Sequence, residues 1–191
     1  MDKKTDRILE AALDLFVEYG FHGTPTSKIA AESGVSNGTL FHYFKTKDDL
    51  IVSLYQHLKA EFNQYLGEKT GKGGKLKERF RKMFVNAVLW GMENHKKFFF
   101  IQQFCYSPHM ALIPETILEE QYHLYMSLFD EGREKNLFKP YPVDMLCTLA
   151  ASQIIGMYQY LMEEKMAPAK QKKLLNEAFE LTWSMLTKSD I

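Results

Sequence analysis

Asn37, Thr39, His42 and Tyr43 place an amide, a hydroxyl, an imidazole and a phenol within seven residues, with Gly38 and Phe41 among them. Groups of these types donate and accept hydrogen bonds at short range, which is the chemistry of phosphate oxygens and base edges in a nucleic-acid groove. Covalent chemistry would need a nucleophile motif or a paired acid and base, and neither stands beside them. Leu40 and Phe44, four residues apart, share one face of a helix, which leaves the polar groups on or beside the opposite surface.

The residues just upstream must hold that surface in place. Thr24-Pro25 reads as an oxygen-bearing cap followed by a proline at the first helical position, so a helix is predicted to begin there. Ile29 and Ala30 supply its apolar face. Gly34 is the residue best able to leave the helix in a left-handed conformation, Val35 can fill the angle between two helices, and Ser36 can cap the second. Two short helices joined by such a turn form a helix-turn-helix, although plain structural hairpins share the spacing. Before them, Ile8, Leu9, Ala12, Leu13, Leu15 and Phe16 recur at helical spacing up to Gly20, and Phe16 and Phe21 read as core. After them, Lys47 opens another helix with Asp48 and Asp49 in its first turn, where acidic groups suit the helix dipole.

From Ile8 through Leu50 the chain resembles the amino-terminal domain of the tetracycline-repressor family of regulators. The resemblance is carried by Ile29-Ala30, Gly34-Val35-Ser36, Gly38-Thr39-Leu40, Phe44 and Lys47, without a gap. It implies an all-α fold in which a three-helix DNA-binding head, residues 1–46, joins a helical effector-binding and dimerisation body, residues 47–191. It also implies particular contacts. Thr26 and Ser27 would meet the DNA backbone, and Lys28 would add a phosphate. Asn37, Gly38 and Thr39 would open the recognition helix, with Asn37 reading a base and Gly38 permitting close approach. Tyr43 would touch the backbone with His42 beside it, and Lys47 would hold a phosphate together with the start of its helix. Phe41 stands where the family often has tyrosine, so only apolar contact with a sugar or a thymine methyl is open to it.

Lysine plus arginine equals aspartate plus glutamate at 24 each, so attraction to DNA must come from a local patch. One short head holds weakly, and two heads on a symmetric duplex site are therefore expected, which requires a dimer. No opening apolar run resembles a signal peptide and no run of about 18 apolar residues could span a membrane, so a cytoplasmic protein is expected. Cys105 and Cys147 sit in apolar surroundings without CxxC or Cys-His spacing, and read as buried thiols. His22, His57, His95, His109 and His123 show no metal-binding cadence, and no cofactor is expected.

Helical periodicity continues nearly to the end of the 191 residues. Leu50 to Leu66 mark a long helix, residues 67–74 read as a flexible loop, and Leu76 to Gly91 form the next helix. Phe98 to Tyr106 make a shorter one that Ser107-Pro108 interrupts. Ile117 to Phe129 form another, with the charged run 130–135 as a solvated face near its end. The last two helices carry broad apolar faces, from Met145 to Leu161 and from Leu174 to Leu186. With their counterparts in a second copy they could form a four-helix bundle, and the resemblance implies dimerisation through the final two long helices; the alternative is that both faces are consumed within one monomer.

Fourteen phenylalanines, ten tyrosines and ten methionines are many for this length, and they could line an apolar cavity or simply fill a core. By analogy with the family, Trp90, Phe99, Gln102, Gln103, Tyr106, Tyr122, Met126 and Tyr158 are the effector-binding candidates. A small lipophilic or aromatic effector is expected. The combined reading is a ligand-responsive transcriptional regulator, usually a repressor in this family. An activator with the same head, a helical enzyme, or a purely structural dimerisation module are the alternatives.

Overall fold

A computed structural model describes residues 3–164 and 166–188, and among these the fold is all-α. The helices are α1 (Lys3–Gly23), α2 (Thr26–Glu32), α3 (Asn37–Tyr43), α4 (Lys47–Thr70), α5 (Leu76–Glu93), α6 (His95–Cys105), α7 (Glu115–Glu134), α8 (Val143–Glu163) and α9 (Pro168–Leu186). A 3-10 helix, Pro108–Leu112, follows α6. The chain divides into two compact units, Met1–Glu61 with Asn94–Leu118 and Phe62–Glu93 with Glu119–Ile191.

The first unit is built on Phe16, which is fully buried with Ile8, Ala12, Ile29, Leu40 and Leu50. Its ring meets the half-buried Phe21 edge-on at 5.6 Å, and Phe100 of α6 lies 5.4 Å from Phe21 and 6.2 Å from Phe16. Tyr55 of α4 stacks on Phe104 of α6 at 3.9 Å, with the rings 9° from parallel. Two ion pairs tie α6 to its neighbours in this unit, Lys96 to Asp14 at 2.7 Å and Lys97 to Glu61 at 2.6 Å.

The second unit has its own aromatic core. Phe80 meets Phe129 edge-on at 5.1 Å and Trp183 at 5.4 Å, and Phe129 lies 5.3 Å from Phe138. Part-buried Arg79 pairs with Glu131, while at the rim Lys77 and Arg81 both reach Glu180. These bonds hold the Glu131 and Glu180 carboxyls below the usual range, through Lys135 and then Arg79 in the first case and Lys77 and then Arg81 in the second.

Several local expectations need correction. Thr24 does not cap α2, because its buried hydroxyl donates to the carbonyls of Leu15 at 3.0 Å and Gly20 at 2.8 Å, leaving Pro25 in the capping place. Gly20 leaves helical geometry as expected, at φ +73°, but the chain then makes a further turn to Gly23. The loop after α4 is shorter than residues 67–74, since α4 continues to Thr70, with Gly67 near Leu124 and Thr70 buried. Helix α7 extends on both sides of 117–129, and its charged end is only partly solvated, because Glu131 is held by Arg79 and Lys135. Cys147 is buried, whereas Cys105 is half-buried.

Gly132 of α7 is chosen by packing. A Cβ built there would lie 2.4 Å from two atoms of the Phe138 ring. Replacing glycine by alanine inside a helix ordinarily stabilises by about 1 kcal/mol. Here Gly132→Ala is expected to destabilise by about 1–3 kcal/mol through overpacking, read as a lower urea midpoint. A higher midpoint would show that the ring moves aside without strain.

Candidate nucleic-acid interface

The turn between α2 and α3 follows the pattern of its residues. Ser33 directs its hydroxyl back to the Ile29 carbonyl at 2.8 Å, and Gly34 adopts φ +67°, a conformation that side chains with a Cβ rarely take. Val35 N–H then donates to the Ala30 carbonyl at 3.0 Å, which closes the α2 end. Ser36 caps α3, its Oγ accepting from the Thr39 N–H at 3.1 Å and lying 2.9 Å from Thr39 Oγ1. Leu40 is fully buried and Phe44 nearly so, and they fix which side of α3 faces inward.

The opposite side is open. Asn37, Gly38 and His42 are exposed, Phe41 is 41% exposed, and Thr39 and Tyr43 are half-buried. The His42 and Tyr43 rings meet edge-on at 5.6 Å. On α2, Ser27 is exposed and Thr26 half-buried. Lys28 has a partner the sequence did not suggest: its Nζ lies 3.8 Å from the centre of the Tyr19 ring on α1, a cation–π contact. Half-buried Lys47 opens α4, where Thr46 and Asp49 cap each other reciprocally, Thr46 N–H to Asp49 Oδ2 at 2.9 Å and Asp49 N–H to Thr46 Oγ1 at 3.0 Å. Helices α2 and α3 and the start of α4 thus offer an amide, hydroxyls, imidazole, phenol and ammonium together with an exposed phenyl ring. This is a mixture suited to phosphate oxygens, base edges and a thymine methyl.

The effector-binding candidates divide between the units. Phe99, Gln102, Gln103 and Tyr106 belong to the first, where Tyr106 is 81% exposed and Phe99 is also exposed. Gln102 Nε2 and Gln103 Oε1 are buried without a hydrogen-bond partner. Trp90, Tyr122, Met126 and Tyr158 belong to the second, where Trp90 and Tyr158 are buried and the other two half-buried. The Cys147 thiol points at Met126 Sδ, 3.7 Å away, and burial pushes its pKa up to about 12, so it stays protonated. An apolar crevice of about 20 Å³ in this unit is lined by Phe80, Met83, Tyr125, Ile154 and Phe179 among others. None of the candidates lines it. Among the described residues no group of three or more His, Cys, Asp or Glu side chains is placed to hold a metal, and no helix is long and apolar enough to cross a membrane.

The sequence pattern of the bacterial regulatory proteins of the tetR family covers residues 8–54, and that of the tetracyclin repressor-like C-terminal domain covers residues 55–187. The chain belongs to the TetR family of helix-turn-helix, DNA-binding transcriptional regulators. The fatty acid metabolism regulator protein of Bacillus subtilis strain 168 is 34% identical over 73 residues, 38% of this chain and 38% of that protein. RutR of Escherichia coli K12 is 42% identical over 55 residues, 29% of this chain and 26% of that one. The chain therefore matches well under two thirds of the length of these curated relatives. Structural likeness extends further. A tetR-family regulator from Shewanella sp. PV-4 has a TM-score of 0.86 at 28% identity, covering 98% of this chain and all of that one. FadR from Bacillus subtilis in complex with stearoyl-CoA has a TM-score of 0.74 at 22% identity, covering 94% and 98%, a likeness of fold alone.

Because Asn37 and Phe41 are exposed, truncating them leaves the fold intact. Asn37→Ala and Phe41→Ala are each expected to weaken binding to a specific duplex by about 1–3 kcal/mol, with the melting temperature unchanged. Equal affinity for both variants and the parent, measured at one stated salt concentration, would remove α3 from the interface.

Proposed function

We propose that this chain is a ligand-responsive repressor that binds a partly palindromic operator as a homodimer and is released by a small lipophilic or aromatic effector. In this reading residues 1–46 form the DNA-binding head, to which Lys47 at the start of α4 adds a contact, and residues 47–191 otherwise bind the effector and the second copy. The observation that carries it is the division of α3, with Leu40 buried on one side and Asn37, Gly38, Phe41 and His42 open on the other. Thr26, Ser27, Thr39, Tyr43 and Lys47 add backbone contacts, and Lys28 does so by turning from the Tyr19 ring to a phosphate.

A balanced total charge gives little long-range pull, so two heads acting together are needed for useful affinity. Helices α8 and α9 offer the surface for pairing. Met145, Tyr160 and Met162 on α8 and Leu181 on α9 are large, apolar and exposed, Leu181 to 72%, and nothing lies within 4 Å of a Cβ built at Gly156. Apolar exposure of this kind on two long helices suits an isologous four-helix bundle.

The effector part of the reading rests on the aromatic and methionine content of the second unit and on Trp90, Tyr122, Met126 and Tyr158. A crevice of about 20 Å³ holds no more than one water, so a lipophilic ligand must select an arrangement in which flexible side chains such as Met83 and Met126 give way. Release follows if that arrangement binds the operator less well. The stearoyl-CoA held by the Bacillus subtilis structure makes acyl thioesters and fatty acids the first compounds to try.

The test is selection of duplexes from a random-sequence library with purified protein at stated salt. Enrichment of a partly palindromic site is expected, and no enrichment would end the reading. On the selected duplex, Leu181→Glu is expected to convert the dimer to a monomer in light scattering and to weaken binding by about 100-fold or more. A variant that stays dimeric would move the pairing surface elsewhere. A long-chain acyl ligand that binds by calorimetry and lowers operator affinity would support the effector class, and binding with no change in operator affinity would refute release.

A further inference from the structure

Asp48 and His109 are 61 positions apart in sequence, yet His109 Nε2 meets Asp48 Oδ1 at 3.2 Å. Asp48 stands in the first turn of α4, directly after Lys47, where the helical pattern leaves main-chain N–H groups without an intrahelical acceptor. His109 is the second residue of the 3-10 helix that follows α6. The two side chains differ sharply in exposure, 12% for His109 and 62% for Asp48.

The imidazole is gripped on its other sides. Its Nδ1 lies 3.3 Å from Ser107 Oγ, and that hydroxyl donates to the Phe104 carbonyl at 2.8 Å while accepting from the His109 N–H at 3.3 Å. Phe21 of α1 meets the ring edge-on at 5.1 Å, and Phe104 of α6 lies at 6.4 Å. A ring so held presents Nε2 in one direction, toward the start of α4. Pairs with an exposed partner contribute only about 0–1 kcal/mol to stability, so the arrangement is better suited to placing Asp48 than to holding the fold together.

We propose that His109 is a positioning residue for DNA binding, setting the first turn of α4 through Asp48 so that Lys47 and the adjacent amides meet a phosphate. The inference rests on the reading of Lys47 as a phosphate contact. Leu50 and Ile51 seat the following turn in the core, and the Thr46–Asp49 bonds define where the helix begins. Of these, only the Thr46–Asp49 bonds are local to α4. The bond from His109 comes from another part of the chain, and through it the height and rotation of that first turn follow the segment after α6.

Salt dependence of affinity reads this out, because each lost phosphate contact lowers the slope of log K against log salt by about 0.9, or about 1.8 for two heads. With the full-length protein and the selected duplex, Lys47→Ala is expected to lower the slope by that amount. His109→Phe, which keeps an aromatic ring against Phe21 and Phe104, is expected to do the same, and the double variant to lose nothing more. Asp48→Ala offers a second route that a folding defect in His109→Phe cannot obscure. It removes a negative charge, so electrostatics alone would tighten binding, whereas lost positioning weakens it by about five- to tenfold. A lowered slope in Lys47→Ala with the parental slope in His109→Phe, or unchanged or tighter binding by Asp48→Ala, would overturn the proposal. If Lys47→Ala itself keeps the parental slope, the phosphate reading falls and this inference with it, a result distinguished by the silence of Lys47→Ala.

Discussion

A helix of seven residues is too short to persist in water, so α3 owes its existence and its direction to the burial of Leu40. Everything the interface presents depends on that anchor. The left-handed turn at Gly34 brings the chain out of α2, the Ser36 cap satisfies the first amides, and Leu40 with Phe44 decides which side faces the core. Asn37, Gly38, Phe41 and His42 are thereby left facing outward, with Thr39 and Tyr43 half-buried beside them. Recognition chemistry here is the residue left over when the packing problem has been solved, which is why polar groups and an exposed phenylalanine can sit together on so short an element.

The core that receives Leu40 is not made from the first helices alone. Phe100 joins Phe16 and Phe21, Phe104 stacks on Tyr55, and the ion pairs of Lys96 and Lys97 reach α1 and α4. The segment 94–118 is therefore part of the same compact unit as the helix-turn-helix. Packed aromatic rings do not deform continuously, so a displacement of that segment would be felt by α1 and α4 as a change of seating rather than as a gentle drift. The polar contact at the start of α4 adds direction to what the rings supply as rigidity.

The second unit solves a different problem. Its aromatic core is tightly filled, down to a glycine at 132 that makes room for the Phe138 ring, while α8 and α9 keep large apolar side chains in solvent. A filled interior and an open flank are consistent demands on a regulator. The first gives a well-defined resting arrangement, and the second leaves apolar surface whose removal from water is favourable. The charged clamp from α5 to α9 lies at the rim, where water limits its strength, and it orients helices more than it stabilises them, whereas the pair from α5 to α7 is part-buried.

Much of the first unit was legible in the chain because its determinants are local. Gly34, Ser36 and the pair Leu40 and Phe44 each act within a few residues, so the turn, the cap and the inward face could be read from spacing. The same is true of helical periodicity from α4 to α9, although Thr24 misled, since its hydroxyl serves α1 rather than the helix it precedes. What spacing cannot express is contact between distant segments. Nothing near Lys28 announces Tyr19 beneath it, nothing near Asp48 announces His109, and no pattern around Phe100 says that it belongs with Phe16. Periodicity also marks a residue as apolar-facing without saying whether the neighbour is a core, a cavity or a second copy, so Trp90 and Leu181 look alike until burial separates them. The order of residues thus determined the elements and their amphipathic faces, because those arise from bonds within a turn or two. Only the tertiary structure decided which faces meet, because that depends on long-range packing that no short window of sequence contains.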